Sequence, residues 1–208
     1  MSRENTDVWV PRTNLGRMVR EGKITSLDDI FIQNLKIQEP EIVDILMPEF
    51  KQEVININLV QKQTDAGERS RFKSLVVVGN FNGYFGVGSG KATQVRTAIE
   101  KGVIDAKLNV IPTRRGCGSW ECGCGELHSL PFKVKGKCGS VTIELLPAPK
   151  GLGLVAGEIS KKILSFSGIK DCWTRSYGST KTIPSITFAT YEALKNTYRM
   201  VIQKDWAR

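Results

Sequence analysis

"RFKSLVVVGNFNGYFGVGSGKA", residues 71–92, decides the fold of this chain. It predicts a strand over 71–80, a tight turn at Asn82-Gly83 and a glycine-rich strand over 84–90, because Asn-Gly readily adopts the positive φ angles of a type I′ hairpin. Gly86, Gly88 and Gly90 fall at every second position, so one face of the second strand carries no side chains. A bare face indicates that another backbone approaches closely, and a long helix, a neighbouring loop and RNA all satisfy that requirement.

The same stretch comes close to a nucleotide-binding motif but does not match one. A P-loop has a glycine, four further residues and then Gly-Lys followed by Ser or Thr. Here Phe85 stands at the first glycine position, and Ala92 follows Lys91 where the hydroxyl would be. The dinucleotide pattern G-x-G-x-x-G fails as well, because Lys91 and Thr93 occupy its third glycine position. A nucleotide-binding enzyme is therefore only a disfavoured alternative.

On both sides of the hairpin the pattern predicts one small domain, residues 51–115. Polar and apolar residues alternate over 53–63, as in a half-buried strand, and 91–111 carries apolar residues at helical spacing. This domain is predicted to be three antiparallel strands packed on a long helix. Residues 1–50 before it are predicted to be an arm that orders on a partner, followed by short helices near 25–35 and 39–48.

A second domain is predicted over residues 132–208, after a Gly/Cys-rich linker loop at 116–131 that looks too long and too rich in glycine to enter a core. The segment 132–151 reads as two strands joined near Gly136–Gly139, and 153–168 as a helix that ends at Gly168. A further strand over 169–180 and a terminal helix over 186–202 complete an α/β unit. The fold class of the whole chain is α+β.

Composition indicates a polyanionic partner. The 208 residues include 30 Lys plus Arg and 21 Asp plus Glu, which gives a net charge of +9. A basic protein gains affinity for nucleic acid because each Lys or Arg that neutralises a phosphate releases a counterion. No apolar run approaches the length of a membrane span, and the first residues lack an apolar signal core, so we expect a cytoplasmic protein without a membrane partner.

Four of the five cysteines lie between residues 117 and 138. Cys117, Cys122, Cys124 and His128 could supply four zinc ligands, although the spacing differs from paired C-x2-C knuckles, and Cys122 and Cys124 stand awkwardly close for one metal. The same loop could instead hold a Cys/His nucleophile and base, but it offers no obvious group to orient the histidine. The simplest alternative is a loop of small residues with no cofactor.

The motifs together closely resemble small-ribosomal-subunit protein number five, a universal family. The resemblance covers about residues 50–180 and is carried by 71–92, by "PAPKGLGLVAG" (147–157) and by "SYGST" (176–180). The N-terminal arm and "RRGCGSW" (114–120) look like the archaeal and eukaryotic branch. A long Arg-Gly-rich leader of the eukaryotic kind is absent, which favours an archaeal-type member.

The resemblance implies a first domain like a double-stranded-RNA-binding domain, followed by the C-terminal α/β domain of this family. It also implies a structural protein that binds small-subunit ribosomal RNA, contacts neighbouring ribosomal proteins, lies near the side at which messenger RNA enters, and supports assembly and decoding accuracy. No enzyme activity and no small-molecule substrate are implied. The family's RNA-directed hairpin loop falls on 62–71, where Asp65 and Glu68 put phosphate contact at the tip in doubt.

The candidate RNA-binding residues are cations near these motifs, and an ordinary solvated surface is the alternative for each of them. Three lie at the exit of the hairpin loop, three near the long helix, two just before the linker loop and two in the second domain. They are Arg69, Arg71, Lys73, Lys91, Arg96, Lys101, Arg114, Arg115, Lys150 and Lys181. Lys91 is expected in the first turn of the long helix, where backbone N–H groups favour a phosphate.

Overall fold

The computed structural model describes residues 9–200, so the ends of the predicted arm and of the terminal helix lie outside the described residues. The N-terminal part folds into three short helices: α1 (Asn14–Arg20), α2 (Leu27–Ile32) and α3 (Glu41–Leu46). Their buried side chains, among them Leu15, Val19 and Ile30, join a core with Val76 and Val78. Residues 9–25 therefore differ from the expected partner-dependent arm, because Leu15 and Val19 form an apolar face that packs on the chain itself.

The first sheet is antiparallel and has four strands in the order β1-β2-β3-β4. They are β1 (Lys51–Thr64), β2 (Gly67–Gly79), β3 (Tyr84–Ala92) and β4 (Val110–Pro112). Helix α4 (Val95–Leu108) connects β3 to β4. Two predictions are corrected here. The short strand β4 lies in what was predicted as the end of the helix, and Lys91 lies in β3, because residues 91 and 92 pair with Lys73 and Phe72 before the helix begins.

The turn between β2 and β3 is not the predicted type I′ turn. Positive φ angles occur at Phe81 (56°) and Gly83 (105°) and not at Asn82, whereas a type I′ turn needs them at both central residues. The side chain of Asn80 instead accepts the N–H groups of Asn82 at 2.8 Å and Tyr84 at 3.1 Å. The loop is therefore longer, and an Asx interaction organises it.

The bare face of β3 is occupied by α4. A Cβ added at Gly86, Gly88 or Gly90 would lie 2.0–2.1 Å from backbone atoms of Ala98 or Ala106. Such separations are far below van der Waals contact, so this helix can dock only where side chains are missing. The buried hydroxyl of Ser74 donates to the carbonyl of Ala98 at 2.7 Å and ties the helix to β2. Of the three candidates for the approaching backbone, the structure selects the long helix, and no room is left there for a nucleotide phosphate.

The second sheet has the order β5-β6-β8-β7. Its strands are β5 (Val134–Cys138), β6 (Val141–Pro147), β7 (Leu154–Val155) and β8 (Cys172–Tyr177). Two helices pack on it, α5 (Glu158–Phe166) and α6 (Ile183–Lys195), and a short 3-10 helix, Asn196–Arg199, follows. The predicted order of strand pair, helix, strand and helix is matched except at the start of the segment predicted as a helix over 153–168. There the short strand β7 precedes α5, because Leu154 and Val155 pair with Cys172 and Trp173 of β8. Gly168 has the positive φ of 81° expected after a helix end.

One hydrophobic core joins the two sheets. Leu75, Val77 and Phe85 of the first sheet cluster with side chains of β5, β6, α5 and α6. Tyr191 of α6 stacks edge-on against Phe85 with ring centroids 5.8 Å apart. Leu130 is fully buried in the same core, which corrects the expectation that the linker stays outside it. Within residues 9–200, no helix is long and apolar enough to cross a membrane.

Candidate nucleic-acid interface and cysteine cluster

Five cations share one face at the outer end of the first sheet. Arg69, Arg71 and Lys73 stand at alternate positions of β2, so their side chains leave the same face. The strand register places Lys62 of β1 opposite Arg69, and Lys91 of β3 opposite Lys73. We call Lys62, Arg69, Arg71, Lys73 and Lys91 the basic face. It continues the face whose inner part, at Leu75 and Val77, packs against the second domain.

The cations of the basic face are not neutralised by carboxylates of residues 9–200. Lys73 is half-buried and the other four side chains are exposed, and none of the five takes part in an ion pair with any residue from 9 to 200. Like charges held together on a sheet repel one another, and a polyanion relieves that repulsion. The arrangement is therefore suited to phosphate groups.

The acidic residues of the hairpin do not neutralise this face. Glu68 alternates with Arg69 and therefore lies on the opposite face, where its carboxylate accepts a hydrogen bond from Gln61 at 3.1 Å. Asp65 lies in the turn between β1 and β2. These two carboxylates therefore disfavour phosphate contact at the turn itself, and not at the strand face behind it. Lys62 belongs to the face but was missed, because only the register shows that it stands opposite Arg69.

Two of the other predicted cations are already paired within the protein. The guanidinium of Arg96 contacts Glu100 at 3.1 Å, one helical turn away on α4. The ammonium of Lys150 lies 2.7 Å from Glu126 of the linker. A phosphate that bound to either residue would compete with a carboxylate of the chain, so these positions are weaker candidates than the basic face.

The two arginines just before the linker loop are partly buried and held in place. The guanidinium of Arg114 lies 4.9 Å from the centre of the Tyr198 ring. Arg115 donates to the side-chain oxygen of Asn82 at 2.6 Å and to its carbonyl at 3.2 Å. Burial lowers the pKa of Arg115, although a guanidinium stays charged at neutral pH. Both residues thus make contacts within the protein that hold their side chains in place. Their contact with RNA stays a prediction.

Lys101 and Lys181 are exposed and stand apart from the basic face. Lys101 lies on α4 beside Gly102, whose own backbone packs on the first sheet. Lys181 lies between β8 and α6 in the second domain. Neither forms an ion pair with a residue of the described range 9–200. Both therefore stay predictions as RNA contacts.

The linker brings its three cysteines and its histidine to one point. The ligand atoms of Cys117, Cys122, Cys124 and His128 all lie within 4.8 Å of one another. The sulfur of Cys122 is 3.9 Å from Nε2 of His128. The spacing of Cys122 and Cys124, which looked awkward for one metal, does not keep their sulfurs away from the other two ligand atoms.

A buried carboxylate orients the histidine. Nδ1 of His128 lies 2.8 Å from Oδ2 of Asp171, and both side chains are almost fully buried. Oδ1 of Asp171 in turn accepts the backbone N–H groups of Gly151 and Gly153 at 3.2 and 2.8 Å. The expectation that the histidine lacks an orienting group is therefore wrong. Asp171 is 43 residues away in sequence, and no local pattern marks it.

The thiols of the chain differ in their ease of ionisation. Backbone N–H groups of Lys150 and Cys124 point at the sulfur of Cys122 and lower its pKa to about 6. Burial raises the pKa of Cys172 to about 12. Low thiol pKa values suit both a nucleophile and a metal ligand. A thiolate, imidazole and carboxylate in series are the parts of a Cys/His enzyme, but three converging sulfurs are the arrangement of a metal site.

The fold and the basic face together are typical of one class, the RNA-binding proteins: the first domain packs a sheet on a long helix and presents cations on the opposite side. Comparison with known proteins agrees. The sequence matches "Ribosomal protein S5, N-terminal domain" over residues 50–114 and "Ribosomal protein S5, C-terminal domain" over residues 136–207.

Its relatives include the small ribosomal subunit protein uS5 of Saccharolobus solfataricus, which is 57% identical over 204 residues, 98% of this chain and 95% of that protein. The uS5 of Pyrobaculum arsenaticum is 60% identical over 198 residues, 95% of this chain and 98% of that protein. The chain belongs to the ribosomal protein S5 family, and its archaeal-type resemblance is confirmed. The α+β fold class is confirmed, and so is the prediction that the chain is not an enzyme.

Proposed function

We propose that this chain is a structural constituent of the small ribosomal subunit in the cytoplasm and that it binds ribosomal RNA through the basic face. Membership of the ribosomal protein S5 family and the names of its relatives support the assignment to the small subunit. The observation that carries the RNA-binding surface is the set of five clustered cations without an ion-pair partner among residues 9–200.

The chemistry of the basic face suits backbone phosphates more than base edges. Lysine and arginine side chains on a rigid strand can follow a phosphate chain, whereas sequence readout needs planar groups directed at base edges. The charged side chains of the face are all cations, so its contacts position the RNA without reading it. Such binding falls steeply with salt, with a slope of about 0.7–0.9 per phosphate contact in a plot of log K against log salt.

A matched pair of charge variants tests this surface. The triple variant Lys62→Gln, Arg69→Gln and Arg71→Gln removes three open cations. The control Arg96→Gln, Lys150→Gln and Lys162→Gln removes three cations that are paired with carboxylates, the last with Glu53 at 2.8 Å. Both changes lower the net charge equally. We expect the first to reduce the salt slope for binding to small-subunit ribosomal RNA by about 2–3 and the control by less than about 1.

Two outcomes would contradict the proposal. Equal effects of the two triple variants would mean that overall charge and not the basic face controls binding. Salt-independent binding of the unmodified chain would remove the phosphate argument altogether. Circular dichroism of each variant checks that the exposed substitutions leave the fold intact.

The finer placement near the side at which messenger RNA enters, with a role in assembly and decoding accuracy, is also part of this proposal. It is supported by family membership and by the projecting linker, where Trp120 is 94% exposed. A photo-crosslinking residue at Glu121, in small subunits reconstituted with this chain, is expected to capture a neighbouring ribosomal protein or messenger RNA downstream of the decoded codon. Crosslinks to neither would contradict the placement.

We further propose that the chain has no small-molecule substrate. The face of β3 that resembles a phosphate loop is covered by α4, and backbone atoms of this helix lie only 2.1–2.7 Å from the place that a Cβ at Gly88 would take. Equilibrium dialysis is expected to show no uptake of ATP at millimolar concentration. Saturable ATP uptake that is lost in Lys91→Ala would contradict this.

A further inference from the structure

The geometry points to a structural zinc site in the linker, formed by Cys117, Cys122, Cys124 and His128, that locks the linker onto the second domain. RNA binding by the basic face neither requires nor predicts such a site, so this inference goes beyond the proposed function. It rests on the positions of four side chains and on the buried group that orients one of them.

The four ligand atoms are already spaced almost as a tetrahedral metal requires. With Zn–S bonds of about 2.3 Å and a Zn–N bond of about 2.0–2.1 Å, sulfurs lie about 3.8 Å from one another and about 3.6 Å from the nitrogen. The four atoms of this cluster lie within 4.8 Å of one another, and Cys122 Sγ is 3.9 Å from His128 Nε2. Small rotations of side chains on an exposed loop are sufficient to complete the coordination.

The histidine is held in the state that a metal needs. Asp171 engages Nδ1 of His128, so Nε2 faces the sulfurs as the free ligand atom. A carboxylate behind a metal-binding histidine fixes its tautomer and ring orientation. Asp171 is itself held by the N–H groups of Gly151 and Gly153. The metal position is therefore connected, through His128 and Asp171, to the backbone of the second domain.

The ligand set selects zinc and a structural role. Three thiolates and one imidazole are soft and borderline donors of the kind that zinc takes in tetrahedral Cys3His sites. Four protein ligands leave no position for a water or a substrate, which distinguishes such a site from a catalytic one.

The zinc site would fix the loop tip to the second domain, where few other contacts do so. The loop base is closed by backbone bonds between Gly116 and Ser129 and between Gly118 and Leu130. Beyond this base the tip is exposed, with Trp120 at 94% and Leu127 at 61%. Among the described residues, the ion pair of Glu126 with Lys150 is the only one that ties residues 119–127 of the tip to the second domain. A metal held by His128 adds a second connection, and this one reaches a buried residue.

Metal analysis of the full chain tests the site. The protein, produced in medium that contains zinc and other first-row metals, is expected to carry about one equivalent of zinc by mass spectrometry. Cys122→Ser, Cys124→Ser and His128→Ala are each expected to lose most of it. Cys138→Ser is the matched control, because Cys138 is a half-buried free thiol outside the cluster, and it should keep about one equivalent.

Asp171→Asn separates the orienting role from ligation. All four ligands remain in this variant, so Co²⁺ is expected to give the same tetrahedral thiolate absorption spectrum as in the unmodified chain. Affinity for the metal is expected to fall about 10–100-fold, as for other lost carboxylate partners of metal-binding histidines. A changed Co²⁺ spectrum at full metal occupancy would contradict the assigned orienting role.

Three results would overturn the proposal. Zinc below about a tenth of an equivalent in the unmodified chain would exclude the site. Full occupancy in both Cys122→Ser and Cys124→Ser would exclude the ligand assignment. Iron bound in place of zinc when both metals are supplied would exclude the choice of metal. Co²⁺ titration of the refolded chain also detects a metal site whose zinc was lost during purification.

Discussion

Two glycine-rich segments of this chain use glycine for opposite reasons. In β3, Gly86, Gly88 and Gly90 lie beneath α4, and any side chain there would overlap the backbone of the helix. At the tip of the linker, Gly123 and Gly125 have no atom within 4 Å of the place that a side chain would take. Both segments look alike in composition, so glycine content alone does not show whether a segment is tightly packed or open.

The difference extends to what holds each segment in place. The strand is fixed by its ladder to β2 and by the helix packed on it, which is the ordinary combination of backbone hydrogen bonds and burial. The loop tip has little of either, and the groups that converge there are thiols and an imidazole. Packing therefore orders the first segment, and we expect coordination chemistry to order the second.

The largest expected effect is that of Gly88→Ala. Its new methyl carbon would lie 2.1 Å from the backbone nitrogen of Ala106 and 2.4 Å from the carbonyl oxygen of Gly102. Because backbone atoms cannot move aside by a change of rotamer, we expect a loss of about 3 kcal/mol or more in the free energy of unfolding. Gly123→Ala is the control and should stay within about 0.5 kcal/mol in urea titrations. Equal losses of stability in Gly88→Ala and Gly123→Ala would contradict the difference in packing between β3 and the linker tip.

The next largest effect is that of metal removal. A chelator is expected to raise amide hydrogen exchange at least about tenfold over residues 119–127, because the tip then loses its main connection to the second domain. Exchange over 84–92 should not change, since α4 and β2 protect that strand. Hydrogen exchange followed by mass spectrometry of peptides measures both regions in one experiment. Slower exchange of the tip, or no change there, would contradict the proposed anchor.

An effect of intermediate size is expected on the rate at which the cysteine thiols are alkylated. Burial raises the pKa of Cys172 to about 12, so below that pH the thiol stays protonated, and its thiolate fraction grows about tenfold for each unit of increasing pH. At pH 7 we expect alkylation of Cys117, Cys122 and Cys124 only after chelation, and of Cys172 only after unfolding. Mass spectrometry locates the labels. Labelling of folded Cys172 at the rate of the loop thiols would disagree with its burial.

The smallest effect that should still be measurable is that of Gly125→Ala. Gly125 has a φ of 69°, and space for a side chain is free around it. Only the left-handed backbone conformation opposes the substitution, which costs about 1 kcal/mol in thermal or urea unfolding. Gly125→Asn should cost less, because asparagine tolerates this region. A loss as large as that of Gly88→Ala would show that the loop tip is packed after all.

Part of the basic face was predictable from the place of its cations beside the hairpin loop. Arg69, Arg71 and Lys73 were identified at the exit of that loop, and the structure adds that a period of two places them on one face of β2. Lys62 was missed and Lys91 was assigned to the helix, because each depends on the pairing of strands. The start of α4 was misjudged by about one turn, since alanine, threonine and lysine after Gly90 fit a strand end as well as a helix start.

The sequence alone therefore determined the order of the main strands and helices, the family resemblance, most of the cations of the basic face and the set of cysteines and histidine that could meet. These properties are local, because they depend on spacing over a few residues. Only the tertiary structure decided that α4 covers the bare face of β3, that Lys62 and Lys91 complete the basic face, and that Asp171 orients His128. Each of these joins residues that are distant in sequence, and such contacts arise from packing and strand register, which no local pattern encodes.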